Sequence, residues 1–135
     1  MPQQDPFVGT WKMNLQESSF ETSHRPSQGT MRFERKLDGY ILRAEGVCEG
    51  KYIKEQPVRF IFDGKEHPVP GAPKITAIST RPDANTVLVE ARRGGRIAGE
   101  ASYLVSADGA TLTTRVRGID DQQRPFRTTV VWVRD

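Results

Sequence analysis

The chain has 135 residues and a mass of 15.2 kDa, which is the size of one domain covering residues 1–135. Hydrophobic residues make up 36% and charged residues 27%, so the composition is too apolar for a disordered chain. The formal net charge is only +3, and no apolar run reaches the roughly 18 residues that cross a bilayer. Residues 1–5 lack the features of a signal peptide, so we expect a soluble, cytoplasmic form, with a processed extracytoplasmic form as the alternative.

Nearly every segment alternates apolar and polar residues with a period of two, which is typical of β-strands rather than amphipathic helices. The predicted strands, in chain order, are 10–15, 29–37, 40–47, 52–62, 74–80, 86–92, 96–105, 111–117 and 125–134. The polar segment 16–28 is predicted to cross one end of the molecule, with a short helical turn around Phe20. Three prolines make 67–73 a loop or an interrupted edge strand, because proline lacks an amide donor.

Turn dipeptides separate several of these strands. They are Asp38-Gly39, Asp63-Gly64, Gly94-Gly95 and Asp108-Gly109. Glycine supplies the positive φ angles of tight hairpins, so each pair predicts a hairpin between neighbouring strands. The predicted fold class is therefore all-β, an antiparallel up-and-down meander that closes into a β-barrel of about eight to ten strands, since closure removes exposed sheet edges.

The strand alternation also indicates which side chains face inward. Six of them are candidates for lining a cavity: Phe33, Arg35, Tyr40, Phe60, Phe62 and Tyr103. Arg35 lies on an apolar face, where it either binds a ligand carboxylate or extends to the barrel rim. Tyr40 and Tyr103 either offer hydroxyls to a ligand or are core aromatics.

Other reactive residues give no recognisable constellation. Cys48 is the single cysteine, which excludes an internal disulfide and a cysteine-cluster metal site, and it is better explained as a packing residue than as a nucleophile. His67 beside Glu66 is either a general base or an exposed loop residue, and it forms no metal-ligand pattern with His24. The sequence therefore predicts no metal and no cofactor.

Both ends of the chain carry a family resemblance. The segment Phe7-Val8-Gly9-Thr10-Trp11-Lys12 resembles the Gly-x-Trp start of the lipocalins and intracellular fatty-acid-binding proteins, together called calycins. Trp132-Val133-Arg134 resembles the closing strand of the same superfamily, and the middle of the chain is similar to small bacterial lipocalin-like proteins. The resemblance implies a lipocalin-like barrel in which Arg134 packs over Trp11 and seals the base, a cation–π contact that is favourable in its own right.

The sequence departs from the fatty-acid-binding proteins in two respects. Fatty-acid-binding proteins insert two helices after the first strand, and 16–28 is too short and too polar for such a pair. Their closing strand also carries an Arg-x-Tyr pair that grips the lipid carboxylate, and the corresponding places here are Val130 and Trp132. That mode of ligand binding is therefore not expected.

The leading functional hypothesis is binding of a small apolar or amphipathic molecule in the barrel interior. The alternatives are a barrel enzyme of the cyclase or isomerase type, which the absence of a catalytic motif disfavours, and a scaffold with a filled interior. Nucleic-acid binding is not expected, because the arginines of the second half alternate with acids and lack an aromatic platform. These arginines are Arg92, Arg93, Arg96, Arg115, Arg117, Arg124 and Arg127. The interior, rather than this outer face, is the predicted functional surface.

Overall fold

The structure is a computed structural model that describes residues 5–20, 26–55, 57–69, 72–119 and 123–135. Eleven strands account for most of these residues: β1 (Gly9–Phe20), β2 (Pro26–Lys36), β3 (Gly39–Cys48), β4 (Lys51–Lys54), β5 (Val58–Ile61), β6 (His67–Val69), β7 (Ala72–Asp83), β8 (Thr86–Arg93), β9 (Arg96–Val105), β10 (Thr111–Ile119) and β11 (Pro125–Arg134). In these five ranges we find no helix that has the length and apolar character needed to cross a membrane.

The strands form one antiparallel sheet in the order β4-β3-β2-β1-β11-β10-β9-β8-β7-β6, with β5 also paired to β3. The predicted all-β antiparallel meander is confirmed. Among the described residues, no hydrogen-bonded ladder joins the β4–β5 edge to the β6–β7 edge, so backbone pairing does not close the sheet. The two edges approach each other where β5 lies against β7. The curvature of the sheet, rather than a complete ladder of hydrogen bonds, therefore brings the inner face of β5 towards that of β7.

The strand count exceeds the expected eight to ten partly because the predicted strand 52–62 is interrupted. Its two parts, β4 and β5, both pair with β3: Lys54 lies opposite Glu45, and Val58 lies opposite Leu42. Between these two pairs, the chain from β4 to β5 has one residue more than β3 has, and Pro57 is one of the residues in this segment. Proline lacks the amide that a continuous ladder needs, so the break falls there.

The connection at Asp63-Gly64 also differs from the prediction. It joins β5 to β6, which pair with different neighbours, β3 and β7, so it is not a hairpin between paired strands. Asp63 instead accepts a hydrogen bond from the backbone amide of Lys65 at 2.9 Å, a local turn that requires no cross-strand partner. The gap in the sheet falls at this connection. The proline-rich segment that follows is the expected interrupted edge, with a register break in β6 after Pro68.

The polar segment after the first predicted strand continues β1 rather than leaving the sheet. The β1–β11 register shifts between Asn14 and Ser19, and Ser18 bridges this irregularity. Its hydroxyl donates to the carbonyl of Asn14 at 2.7 Å and accepts from the amide of Val131 at 3.1 Å. The predicted helical turn around Phe20 is wrong, because a side chain replaces the missing backbone partner and keeps the strand extended. The predicted crossing at 21–25 lies outside the described residues.

The buried core is concentrated towards one end of the sheet, which we call the closed end. It contains the β2–β3 and β9–β10 turns, the start of β1 and the end of β11. The opposite end, with the β3–β4 and β8–β9 turns, is called the far end. The buried hydrophobic residues are Phe7, Trp11, Met31, Phe33, Tyr40, Leu42, Phe60, Val87, Val105, Leu112, Val130 and Trp132.

Candidate functional site

Five of the six predicted cavity residues meet in one aromatic cluster inside the sheet. The Phe33 and Phe60 rings stack with centroids 6.1 Å apart, and Tyr103 contacts both edge-on at 6.2 and 5.4 Å. Tyr40 packs edge-on against Phe33 at 5.9 Å and against Phe62 at 5.7 Å. These rings fill the closed-end half of the interior by packing on each other.

The sixth predicted residue, Arg35, lies at the closed end in a polar cluster around Asp5. The Arg35 Nη1 lies 2.5 Å from the Asp5 carboxylate, and the Tyr40 hydroxyl donates to both carboxylate oxygens at 2.5 Å. Arg81 Nη1 approaches the same carboxylate at 3.4 Å, and the backbone amide of Phe7 donates to it at 3.0 Å. The guanidinium of Arg35 is therefore engaged by the chain's own carboxylate and not directed into the aromatic interior.

This cluster shifts the proton affinities of its members. Burial raises the pKa of Asp5. The hydrogen bonds from Tyr40 and the Phe7 amide, the charge of Arg81 and the hydrogen bond from Arg35 together lower this pKa by more than burial raises it, so it lies below its ordinary value. Burial and the Asp5 hydrogen bond together raise the pKa of Tyr40 well above that of a free phenol. At neutral pH, Asp5 is charged and Tyr40 is a proton donor.

A second set of contacts, between Arg134 and Trp11, seals the closed end. The Arg134 guanidinium lies 4.1 Å from the centroid of the fully buried Trp11 ring. The guanidinium donates to the carbonyls of Gly109 at 3.0 Å, Val8 at 2.8 Å and Pro6 at 2.6 Å. Arg134 thus ties the end of the last strand to the segment that precedes the first strand.

The far-end half of the interior is lined differently. Cross-strand pairing places Ala77, Ala91, Gly99 and Gly118 in one continuous row across β7, β8, β9 and β10. We call these four residues the small-residue row. All four are half-buried, and none carries a side chain larger than a methyl group. Two of them also permit close strand approach, because a Cβ on Gly99 or Gly118 would lie 2.9 Å from a backbone carbonyl oxygen.

Tyr103 lies between the aromatic cluster and the small-residue row. It sits opposite Val87 on β8 and Thr114 on β10, and it remains half-buried. Within the described part of the chain, its hydroxyl makes no hydrogen bond. Burial, with a smaller contribution from the charge of Glu55, raises the pKa of Tyr103 to about 12. Tyr103 is therefore a neutral hydroxyl available to another molecule.

A recess of about 770 Å³ lies on the outer face of β7 to β11. Its charged lining is divided: Arg115, Arg117 and Arg127 stand on β10 and β11, while Glu90 and Glu100 stand on β8 and β9. Arg117 pairs with Glu100, its Nε lying 3.0 Å from the carboxylate. The recess therefore contains side chains of both charges, three arginines and two glutamates, and Glu90 also pairs with Arg92 at 2.7 Å.

Two of the remaining candidates, His67 and Cys48, lie apart from this interior. His67 Nε2 pairs with Asp63 at 2.9 Å beside the sheet gap, and Cys48 is a half-buried free thiol at the end of β3. Val130 and Trp132, which replace the Arg-x-Tyr pair of the resemblance, are buried, and the Trp132 indole donates to the Thr114 hydroxyl at 3.2 Å. In the five described ranges, no group of three or more metal-ligating side chains comes together.

Sequence reasoning missed three parts of this arrangement: Asp5, Arg81 and the small-residue row. Asp5 precedes the first predicted strand, and Arg81 follows the predicted end of its strand at Thr80, so strand alternation did not assign either of them a face. The row consists of four ordinary residues whose proximity depends on the register of four strands. Only an alignment of the predicted strands β7 to β10 across their hairpin turns could have shown that these four residues are neighbours.

Comparison with known proteins gives a likeness in structure without a close likeness in sequence. No protein-family model matches the chain, and no curated protein matches it in sequence. The zebrafish ileal bile acid-binding protein complexed with cholic acid superposes with a TM-score of 0.61 and 12% identity, covering 96% of this chain and 99% of the other.

Two solved fatty acid binding proteins are also similar in fold. The Schistosoma mansoni protein in complex with arachidonic acid has a TM-score of 0.60 and 14% identity, with 96% of each chain covered. As-p18, an extracellular fatty acid binding protein, has a TM-score of 0.53 and 12% identity, with 97% of each chain covered. Over nearly its whole length, the chain therefore has the fold of the fatty-acid-binding and bile-acid-binding proteins.

Proposed function

We propose that the chain binds a small apolar or amphipathic molecule in the far-end half of the interior. The small-residue row carries this proposal, because at this level four adjacent strands present nothing larger than a methyl group and remain half-exposed. The row ends at β11, where the Phe126 ring lies over Gly118, 3.2 Å from the place of an added Cβ. Interiors of native proteins are otherwise close-packed, so a wall of small residues leaves room for a ligand.

In this proposal the aromatic cluster forms the floor of the site. Phe33 and Phe60 are buried beneath Tyr103, so the half-buried Tyr103 is the member of the cluster that offers its ring and its hydroxyl to the ligand. Such a lining favours a ligand with a large apolar body and few polar groups.

The similar folds support the same proposal. The zebrafish and Schistosoma mansoni proteins were solved with cholic acid and arachidonic acid, two amphipathic molecules of small size. With the Gly-x-Trp start and the terminal arginine, this likeness leads us to infer membership of the calycins, among them the small bacterial lipocalin-like proteins. The partner we propose is a small molecule rather than a nucleic acid.

The test is a titration with an environment-sensitive apolar dye on two matched variants. Ala101 lies between Gly99 and Tyr103 in the alternation of β9, so its side chain shares the inward face of Tyr103, which contacts Phe33 and Phe60. The adjacent Ser102 pairs with Leu88 and Arg115 on the opposite face, although both residues border the outer recess. Ala101→Trp should fill the interior and weaken dye binding at least about tenfold, a change of roughly 1.4 kcal/mol. Ser102→Trp should leave the affinity unchanged, because its ring extends into the outer recess.

Two further measurements complete the test: the salt dependence of dye binding and the identification of molecules that co-purify with the protein. Dye affinity should change little between low and high salt, because apolar burial is weakly screened whereas contacts to charged groups are not. Native mass spectrometry of the freshly purified protein should find a small apolar molecule bound, and its conversion to a product would indicate an enzyme. Loss of dye binding in Ser102→Trp but not in Ala101→Trp would move the site to the outer face.

A further inference from the structure

The cluster at the closed end has the composition of a carboxylate-binding site. Three side-chain donors from three different strands converge on one carboxylate: Arg35 from β2, Tyr40 from β3 and Arg81 from β7. The Asp5 side chain that they hold is only 11% exposed. The two guanidinium groups carry one more positive charge than the Asp5 carboxylate neutralises, so the cluster retains a net positive charge. The neutral phenol of Tyr40 adds a hydrogen bond but no charge.

Two of the three donors, Tyr40 and Arg81, are fixed before any ligand arrives. The Tyr40 side chain is fully buried, and the Arg81 guanidinium lies 5.3 Å from the Tyr40 ring centroid and 5.8 Å from that of Phe7. Arg81 also donates to the carbonyl of Ala84 at 2.8 Å. These contacts fix Tyr40 and Arg81 independently of Asp5, so little ordering of these two donors is needed when a carboxylate enters. Arg35 is 58% exposed and is held by Asp5 itself, so its side chain must be ordered by the incoming carboxylate.

A solvent-accessible recess of about 310 Å³ adjoins the cluster, and both Arg35 and Arg81 line it. Leu37, Ile61 and Phe62 supply its apolar lining. Its two other carboxylates are already engaged, since Asp38 pairs with Arg59 at 3.1 Å and Asp63 with His67 at 2.9 Å. The two arginines together carry one more positive charge than Asp5 neutralises, while the charge of Asp63 in the same recess is neutralised only when His67 is protonated.

We propose that Arg35, Tyr40 and Arg81 form a carboxylate-binding site whose built-in occupant is Asp5, and that a small free monocarboxylate takes the place of Asp5 when its side chain is absent. The adjoining recess accommodates the short apolar tail of that molecule. In the native chain, Asp5 competes from within the same molecule, so free carboxylates at low concentration do not enter. The site is separate from the interior ligand site, and it does not depend on the proposed function.

Removing the Asp5 side chain leaves the surrounding segment in place. Phe7 is fully buried against Phe33 and Tyr40, and Arg134 holds the carbonyls of Pro6 and Val8. Asp5→Ala should therefore vacate the site while Tyr40 and Arg81 keep their positions and the exposed Arg35 side chain stays within reach on β2. The variant tests binding at a preformed site.

The experiment measures thermal unfolding of Asp5→Ala at neutral pH in increasing sodium acetate, with sodium chloride at equal ionic strength as the reference. A ligand that binds only the folded chain should raise the Tm with the logarithm of its concentration above Kd, by roughly 4 to 6 °C at a tenfold excess over Kd for a domain of this size. Butyrate should act at lower concentration than acetate if the recess holds the tail. The native chain should respond equally to acetate and chloride.

The double variant Asp5→Ala/Arg81→Met is the matched control and should lose the acetate response. An equal acetate response in the native chain, or a response that survives in the double variant, would overturn the proposal. If Asp5→Ala is unfolded in buffer, acetate but not chloride should restore its native circular dichroism, and failure to do so also counts against the site. None of these readouts uses the apolar dye, so failure here is distinguishable from failure of the interior ligand site.

Discussion

Trp11 illustrates how much of the closed end depends on single residues. Its ring is fully buried beneath the Arg134 guanidinium, and its indole donates a hydrogen bond to the carbonyl of Phe7 at 3.0 Å. Removing the ring therefore opens a cavity, removes a cation–π contact and leaves a buried carbonyl without its partner. The three losses act at the same place, so neighbouring groups have little scope to compensate.

We predict that Trp11→Ala lowers the free energy of unfolding by about 3 to 5 kcal/mol, the range for truncating a large buried aromatic. Urea unfolding followed by circular dichroism measures this change. Leu37→Ala is the control, because Leu37 is fully exposed and its truncation should change stability by less than about 0.5 kcal/mol. A cost below about 1 kcal/mol for Trp11→Ala would contradict a structural role for the Trp11–Arg134 contact.

The lowered pKa of Asp5 leads to a prediction of how the free energy of unfolding depends on pH below neutrality. Its pKa is lower in the folded chain than the ordinary value of 3.8, so its contribution to stability is present in full above that value. The contribution is lost as the pH falls through the lower pKa of the folded state, because the unfolded chain then binds the proton more readily. Urea unfolding at a series of pH values should show a steeper acid loss in the native chain than in Asp5→Asn. Parallel curves for the two proteins would show that Asp5 is not held as a carboxylate.

At the scale of the elements, the β3–β5 ladder depends on one glycine. A Cβ added to Gly39 would lie 1.7 Å from the carbonyl oxygen of Phe60, a distance that no packing adjustment of a side chain relieves. The backbone of β5 would have to move away from β3 and carry the Phe60 ring out of the aromatic cluster. The Asp38-Gly39 dipeptide thus acts both as a turn and as a contact point between strands.

Gly39→Ala should accordingly destabilise the fold by at least about 2 kcal/mol, since backbone displacement and core disruption add. Gly64→Ala is a matched control: its φ is also positive, at 73°, but nothing lies within 4 Å of the added Cβ. That substitution should cost only the strain of the left-handed conformation, about 1 to 2 kcal/mol. Chemical denaturation of both variants measures the difference, and a smaller loss for Gly39→Ala than for Gly64→Ala would refute the close approach.

For the whole molecule, the uneven distribution of core residues predicts uneven local stability. Buried aromatic and aliphatic side chains gather towards the closed end, whereas the small-residue row near the far end contributes little apolar area. Local opening costs less where fewer apolar contacts must be broken. The proposed ligand would bind in the half of the molecule that opens most readily.

Native-state hydrogen exchange should show this difference directly. Amides near the closed end, such as those of Leu42 and Leu112, should exchange more slowly than amides near Ala91 and Gly99 by a factor of at least about ten. A bound apolar ligand should reduce the difference by slowing exchange in the far-end half. Uniform protection along β8, β9 and β10 would contradict the division of the interior into a packed half and a small-residue half.

The sequence alone determined the fold class and much of the strand order. Alternation with period two is local information, and so are the turn dipeptides at Asp38-Gly39, Gly94-Gly95 and Asp108-Gly109, each of which joins two strands that pair. The inward direction of Phe33, Phe60 and Tyr103 followed from the same alternation. These features are set by residues within a few positions of each other, so they can be read along the chain.

Only the tertiary structure decided where the sheet is interrupted and what meets at its ends. Asp63-Gly64 has the composition of a hairpin turn, but the strands on either side find other partners. Asp5, Arg35 and Arg81 are distant in sequence, and they converge because strand register and sheet curvature bring three separate segments to one end. Alternation and turn geometry can set the register between neighbouring strands. The curvature that brings β2, β7 and the segment before β1 together depends on side-chain packing over the whole molecule, which local sequence patterns do not show.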